Sequence, residues 1–329
     1  MDKKPSAFVL AAVFCLTAAV LSLCLGAAQL SLGQLWQAII NGPTDTAGYI
    51  FWYSRLPRTA ACLLCGGALA CAGCILQNVL GNKLASPGII GVNAGAGLGV
   101  TLCCALGLLS GWAVALAAFG GAMAAVLIVV LLARKTGASR TTVILSGVAM
   151  NSILGAFRDA VTTLVPEVSM LSGEFRVGGF SAVSPSRLIP AGILIAAALV
   201  IVLTLCNDLD VLALGEDTAR SLGMTVRKMR TAFLLLAALL AGAAVSFSGL
   251  LGFVGLIVPH GLRRFAGNES RHLLPLCAIG GAGFVTACDV AARLLFAPHE
   301  LPVGILMAVI GGPVFLLLLL KGKGGRGHG

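Results

Sequence analysis

The sequence is poor in charge. Of 329 residues, 12 are Asp or Glu and 22 are Lys or Arg, so charged side chains make up 10%. A soluble domain carries about a quarter, because charge is what covers its surface. That scarcity excludes an ordinary water-soluble protein. Nucleotide machinery is also missing. No GxxxxGK[ST] occurs, and Gly95, Gly97 and Gly99 lack the GxGxxG spacing and strand–helix context that cradle phosphate. There is no HExxH, GxSxG or paired carboxylate to run hydrolysis inside a bilayer. Histidine numbers only four, and His260, His272 and His299 fall at or beyond the ends of apolar runs. A proton-coupled carrier needs several acids or histidines at mid-membrane, so a secondary transporter and an intramembrane enzyme are both disfavoured.

What is present is apolar: 58% hydrophobic residues and a mean hydropathy of +1.02. Runs such as Leu188–Leu205 and Val114–Leu132 are continuous rather than alternating. Barrel strands alternate, so the expected class is all-α, a polytopic membrane protein whose helices satisfy their own backbone groups. At about 20 residues per crossing, the chain holds about ten spans. They are expected near 6–28, 58–78, 88–109, 112–132, 141–160, 188–206, 231–248, 250–266, 274–295 and 303–320. The first run is longer than the about 7–15 residues of a signal h-region and is expected to be a retained span. The 43 glycines let helices approach closely, and Gly91, Gly95 and Gly99 space out one such face. Eleven cysteines lie mostly in apolar runs, where thiols act as small hydrophobes.

Ten spans put both termini on one side. With that side cytoplasmic, 16 of the 22 basic residues fall inside, and Arg55, Arg58, Arg158, Arg176, Arg187 and Arg293 fall outside. The split follows the positive-inside rule, so the net charge of +10 reads as topology and not as a nucleic-acid surface. Two outer loops (29–57 and 161–187) and one inner loop (207–230) are long enough to hold structure. Trp36, Trp52 and Tyr53 suit the outer interface. Only Asp289 lies well within a span. Arg293, four residues on, can meet it on one helix face. GALACAG (67–73) is echoed by GAAVSFSG (242–249), each with a proline downstream, Pro87 and Pro259; two related halves are a known transporter construction.

Several segments then agree with one family. RLPR (55–58) opens the second span and is followed by GGALACAGCILQ (66–77) and NKLASPGIIGVNAGAGLG (82–99). LSGVAMNSIL (145–154), LALGEDTARSLGM (212–224) and GLLGFVGLIVPHGLRR (249–264) come next. ELPVG (300–304) and IGGPVFLLLL (310–319) complete the order. Across about 50–320 the chain resembles the FecCD permeases, the transmembrane subunits of siderophore, haem and cobalamin ABC importers. It departs from them at Lys83, where proline is usual, and at RVGGFS (176–181), where a tryptophan motif is common.

The resemblance implies a type II importer permease fold, one transmembrane domain over 1–329 with a cytoplasmic tail at 321–329. It implies a non-catalytic subunit in the cytoplasmic membrane that forms the pathway for an iron–siderophore complex, with haem or cobalamin as alternatives. Partners would be a second copy or a sister permease, two cytoplasmic ATPases, an extracytoplasmic binding protein and membrane lipid. ATP and magnesium would sit on the ATPases, and this chain would hold no cofactor or metal. Leu214, Gly215, Glu216, Ala219, Arg220, Leu222 and Gly223 would couple to the ATPase, with Glu216–Leu222 as a short helix. Arg55, Arg58 and Arg293 would meet acidic residues of the binding protein. Arg140, Thr141, Thr142, Ser146, Met150 and Asn151 would line the pathway or gate.

Overall fold

The computed structural model describes residues 4–26, 31–135, 139–295, 297 and 299–323. The expected tail therefore lies outside the described residues beyond position 323, as does Lys3. Ten helices stand where ten spans are expected: α1 (Lys4–Cys24), α2 (Leu56–Leu80), α3 (Val92–Ala105), α4 (Gly111–Lys135) and α5 (Arg140–Leu164), then α6 (Pro185–Thr204), α7 (Val226–Ser248), α8 (Val254–Ala266), α9 (Ser270–Leu294) and α10 (Val303–Lys323). Among them α1, α2, α4, α6, α7 and α9 are long and apolar enough to cross a bilayer, and α3 and the first part of α10 are shorter apolar helices. The described residues hold no strand.

Local chemistry sets the boundaries. Ser139 accepts from the Thr142 amide and starts α5. Pro185 stands in the first turn of α6, where proline costs no hydrogen bond. Gly81, at φ 59°, ends α2 in a left-handed cap.

The outer loop before α2 is more ordered than its sequence announces. Leu32–Asn41 forms a helix with a Ser31–Gln34 capping box. Thr46–Ile50 and a π-turn at Phe51–Arg55 then run without a break into α2, a continuous 35-residue rod from Thr46. Two short helices, Pro166–Leu171 and Gly173–Val177, fill the second outer loop.

Nearly every residue of α2 is buried, as an all-round apolar helix must be. It packs on α9, α7 and α8. Close approach depends on glycine pairs, since a Cβ on Gly66 would strike the Gly281 carbonyl and one on Gly73 the Gly255 carbonyl. The glycine face expected on α3 is present: Gly95 lies on the Gly121 carbonyl and Gly99 on that of Ala117.

The two echoed segments also share an outline. Each long helix, α2 or α7, runs into a break and then into a short helix, α3 or α8. Pro87 sits in the first break, whereas Pro259 lies inside α8. The 13 residues of α8 rise about 20 Å, less than the about 30 Å of a hydrocarbon core. The non-helical 249–253 makes up part of the difference, its backbone held by protein as such a break requires: the Leu250 amide donates to the Phe175 carbonyl at 2.9 Å, and Gly179 to that of Ser248 at 2.8 Å.

Candidate functional sites at the two ends of the bundle

The three outer arginines converge on one buried acid and one helix end. Asp289 on α9 is 1% exposed. Arg58 reaches its carboxylate through Nε at 3.1–3.2 Å and Nη2 at 3.0 Å, and Arg293 holds it from the next turn at 3.1 Å. Arg55 donates to the carbonyls of Leu23 and Cys24, both at 2.6 Å. Arg293 donates to the Leu25 carbonyl at 3.0 Å and to the Ser22 hydroxyl at 2.9 Å. The Leu23, Cys24 and Leu25 carbonyls lie in and just past the last turn of α1, where a helix leaves such groups unpaired, so two arginines supply a tertiary C-cap.

This geometry corrects part of the docking expectation. Arg55 and Arg293 are both buried, and their forks are committed to their own chain. Arg58 alone keeps an outward edge, and Glu300 takes it at 2.6 Å. The Glu300 side chain is 35% exposed, so this is the replaceable member of the cluster. The expected Asp289–Arg293 pair is present, and the second arginine on Asp289 comes from 231 residues away, a separation that conceals it from sequence. Arg58 and Glu300 also line an outer cavity of about 390 Å³ with Glu174, Arg187, Ser246 and Ser248.

The residues expected on the pathway separate into two groups. Met150 is buried beside Gly91, and the Asn151 amide donates to the Gly88 carbonyl at 2.8 Å. These two pack α5 against the 3-10 turn Pro87–Ile90, with Asn151 half-buried. Arg140 donates to the Leu212 carbonyl at 2.9 Å and fastens α5 to the inner loop. Thr142 bonds Ser139, and Ser146 is half-buried. The open face of α5 carries Leu145, Val148, Ile153 and Phe157 beside Thr141 and Ser152.

The inner loop folds as two short helices, Cys206–Ala213 and Glu216–Ser221. Gly215 at φ 123° and Gly223 at φ 82° make the turns around the second, conformations that glycine adopts without strain. Glu216 bonds Arg220 at 2.7 Å and Arg230 at 3.1 Å. Arg230 belongs to α7 and is 2% exposed, so the short helix is bolted to a long one. Ala219 is buried beneath it, while Leu214 and Leu222 are 65% and 63% exposed.

Beside this loop lies a polar knot that motif reading passed over. Arg263 donates to Asn78 at 2.8 Å and Gln77 at 3.3 Å, and Asn78 donates to Ser270 at 3.0 Å. Asp210 accepts from the Ser270 amide at 2.9 and 3.1 Å, capping α9 from the inner loop. Its members lie far apart in sequence, so only the polar residues ending the apolar 66–76 stretch hinted at it.

Comparison with known proteins identifies the family. A model of the FecCD transport family matches residues 14–321. The chain is 36% identical over 303 residues to the hemin transport system permease protein HmuU of Yersinia pestis, covering 90% of each. It is 36% identical over 317 residues to the vitamin B12 import system permease protein BtuC of Shigella boydii, covering 94% of each. Its fold is similar to that of a solved metal-chelate type ABC transporter in an inward-facing conformation. That likeness has a TM-score of 0.86 and 28% identity, over 96% of this chain and 99% of that one. This chain therefore belongs to the FecCD transport family.

Proposed function

We propose that this chain forms the translocation pathway for a bulky metal chelate, an iron–siderophore complex first. As a FecCD member it is a permease of an ABC importer and a multi-pass inner-membrane protein. In our reading it is a non-catalytic subunit and binds no cofactor of its own. It pairs with a second copy or a sister permease, both termini face the cytoplasm, and ATP and magnesium are held by two ATPases below. Haem or a corrinoid is the alternative cargo, favoured by the similarity to the hemin and vitamin B12 permeases.

The observation that carries the reading is the inner loop. Two exposed leucines, Leu214 and Leu222, flank a short helix tied through Glu216 to buried Arg230. A surface of this kind accepts a partner and passes its movement into α7. At the other end Arg58, with its exchangeable Glu300, is the contact for a binding protein's carboxylates; Arg binds such groups through a two-pronged fork. Asp289 is held by two arginines, so its carboxylate oxygens are already taken within the chain, which weighs against ion-driven transport.

The test is ATPase activity in proteoliposomes, with the cognate ATPase co-expressed and binding protein added. Wild type should retain its ATPase and be stimulated. Arg58→Glu should lose stimulation, and Glu216→Lys with Leu222→Asp should lose the ATPase. If no ATPase associates and uptake follows an ion gradient, the reading is wrong.

A further inference from the structure

Between α1, α8 and α9 lies a groove of about 470 Å³ lined by Ala7, Leu10, Phe14, Gly261, Phe265 and Phe284 together with Ala11, Ile257, Val258, Leu262 and Gly280. Among the described residues no polar side chain lines it. A space of this size is on the scale of small-molecule sites, about 300–1,000 Å³. A helix about 10 Å across does not enter it. We propose that the groove seats one acyl chain of an anionic phospholipid, with its headgroup held by Arg264.

Three observations bear on this. The first is Gly261. It sits inside α8, carries no positive φ, and a Cβ there would meet nothing within 4 Å. Neither backbone conformation nor packing within the chain calls for glycine, which costs a helix about 1 kcal/mol relative to alanine. Its missing side chain is what keeps the groove open.

The second is Arg264. Residues 257, 261, 264 and 265 recur at helical spacing, so Arg264 borders the groove-lining face of α8 near the end of that helix. It is exposed and makes no hydrogen bond or ion pair among the described residues. Its neighbour Arg263 differs, being spent on Gln77, Asn78 and Asn268. The third is charge. Among the described residues no carboxylate lines the groove, and the exposed Arg264 beside its lining face complements an anionic headgroup. Basic sites between transmembrane helices hold such headgroups. The proposal rests on the membrane placement given above but not on the ATPase or the cargo.

The test titrates the delipidated full-length chain, in detergent, with dioleoyl-phosphatidylglycerol or dioleoyl-phosphatidylcholine and reads retained lipid by native mass spectrometry. Wild type should retain one phosphatidylglycerol per chain, about fivefold more tightly than phosphatidylcholine, the effect of one basic side chain near an anionic surface. Gly261→Leu fills the slot and should retain neither lipid; Gly261→Met is the second filler should leucine misfold. Arg264→Gln should retain both lipids equally. Both variants should keep the wild-type elution profile. Unchanged lipid retention in the fillers, or a wild type with no preference for phosphatidylglycerol, overturns the proposal. So does a preference that survives Arg264→Gln. Loss of ATPase association in the earlier experiment would leave this result unaffected, so the two readings fail separately.

Discussion

Replacing Asp289 with Asn removes the anion shared by buried Arg293 and part-buried Arg58. The values for exposed ion pairs, about 0–1 kcal/mol, do not apply. Asp289 is 1% exposed, and the side chains of Arg293 and Arg58 are 4% and 13% exposed. Removing one partner of a buried pair strands the other's charge and costs about 3–5 kcal/mol. Here two guanidinium groups are stranded, but each keeps other acceptors: Glu300 for Arg58, and the Ser22 hydroxyl and Leu25 carbonyl for Arg293. The expected loss is therefore about 3 kcal/mol, the lower end of that range. Reversible chemical unfolding in mixed micelles reads it. Adding Arg293→Met to Asp289→Asn should recover part of the loss, because residues in one network couple by about 0.5–3 kcal/mol. A loss for Asp289→Asn below about 1 kcal/mol, the surface value, refutes the reasoning. So does a double variant whose cost is the sum of the singles.

Three further outcomes follow from the geometry. Gly73→Val drives a side chain into the Gly255 carbonyl and should cost at least the about 1–3 kcal/mol of overpacking, whereas Gly120→Ala, inside α4 with nothing within 4 Å, should keep or raise thermal stability in detergent by up to about 1 kcal/mol. Gly215→Ala forces a Cβ into a backbone region essentially reserved for glycine (φ 123°, ψ 162°), a strain of about 1–3 kcal/mol. Co-purified ATPase per permease should fall while the yield of folded permease holds. Glu300→Gln releases the outward edge of Arg58 and should tighten binding-protein affinity up to about fivefold, the range of an exposed ion pair; surface plasmon resonance on reconstituted importer measures it.

Composition and pattern determined a good deal. Scarce charge with continuous apolar runs dictates a helical membrane protein, and ten helices occupy the ten expected stretches. Spacing four apart predicted both the Asp289–Arg293 contact and the packing of Gly95 and Gly99 on α4. Gly215 and Gly223 marked their turns because left-handed backbone leaves little choice of residue. These are local properties, set within a few residues of chain.

Tertiary structure decided what depends on distance along the chain. Only folding brings Arg58 to Asp289, Asp210 to the first turn of α9, and Glu216 to buried Arg230. It also turned Arg55 and Arg293 inward, because the open carbonyls at the end of α1 lie within their reach. Sequence could not separate packing from lining on α5, since a polar amide serves either purpose. The Gly88 carbonyl, 63 residues away in the chain, is what gives the Asn151 amide a packing partner.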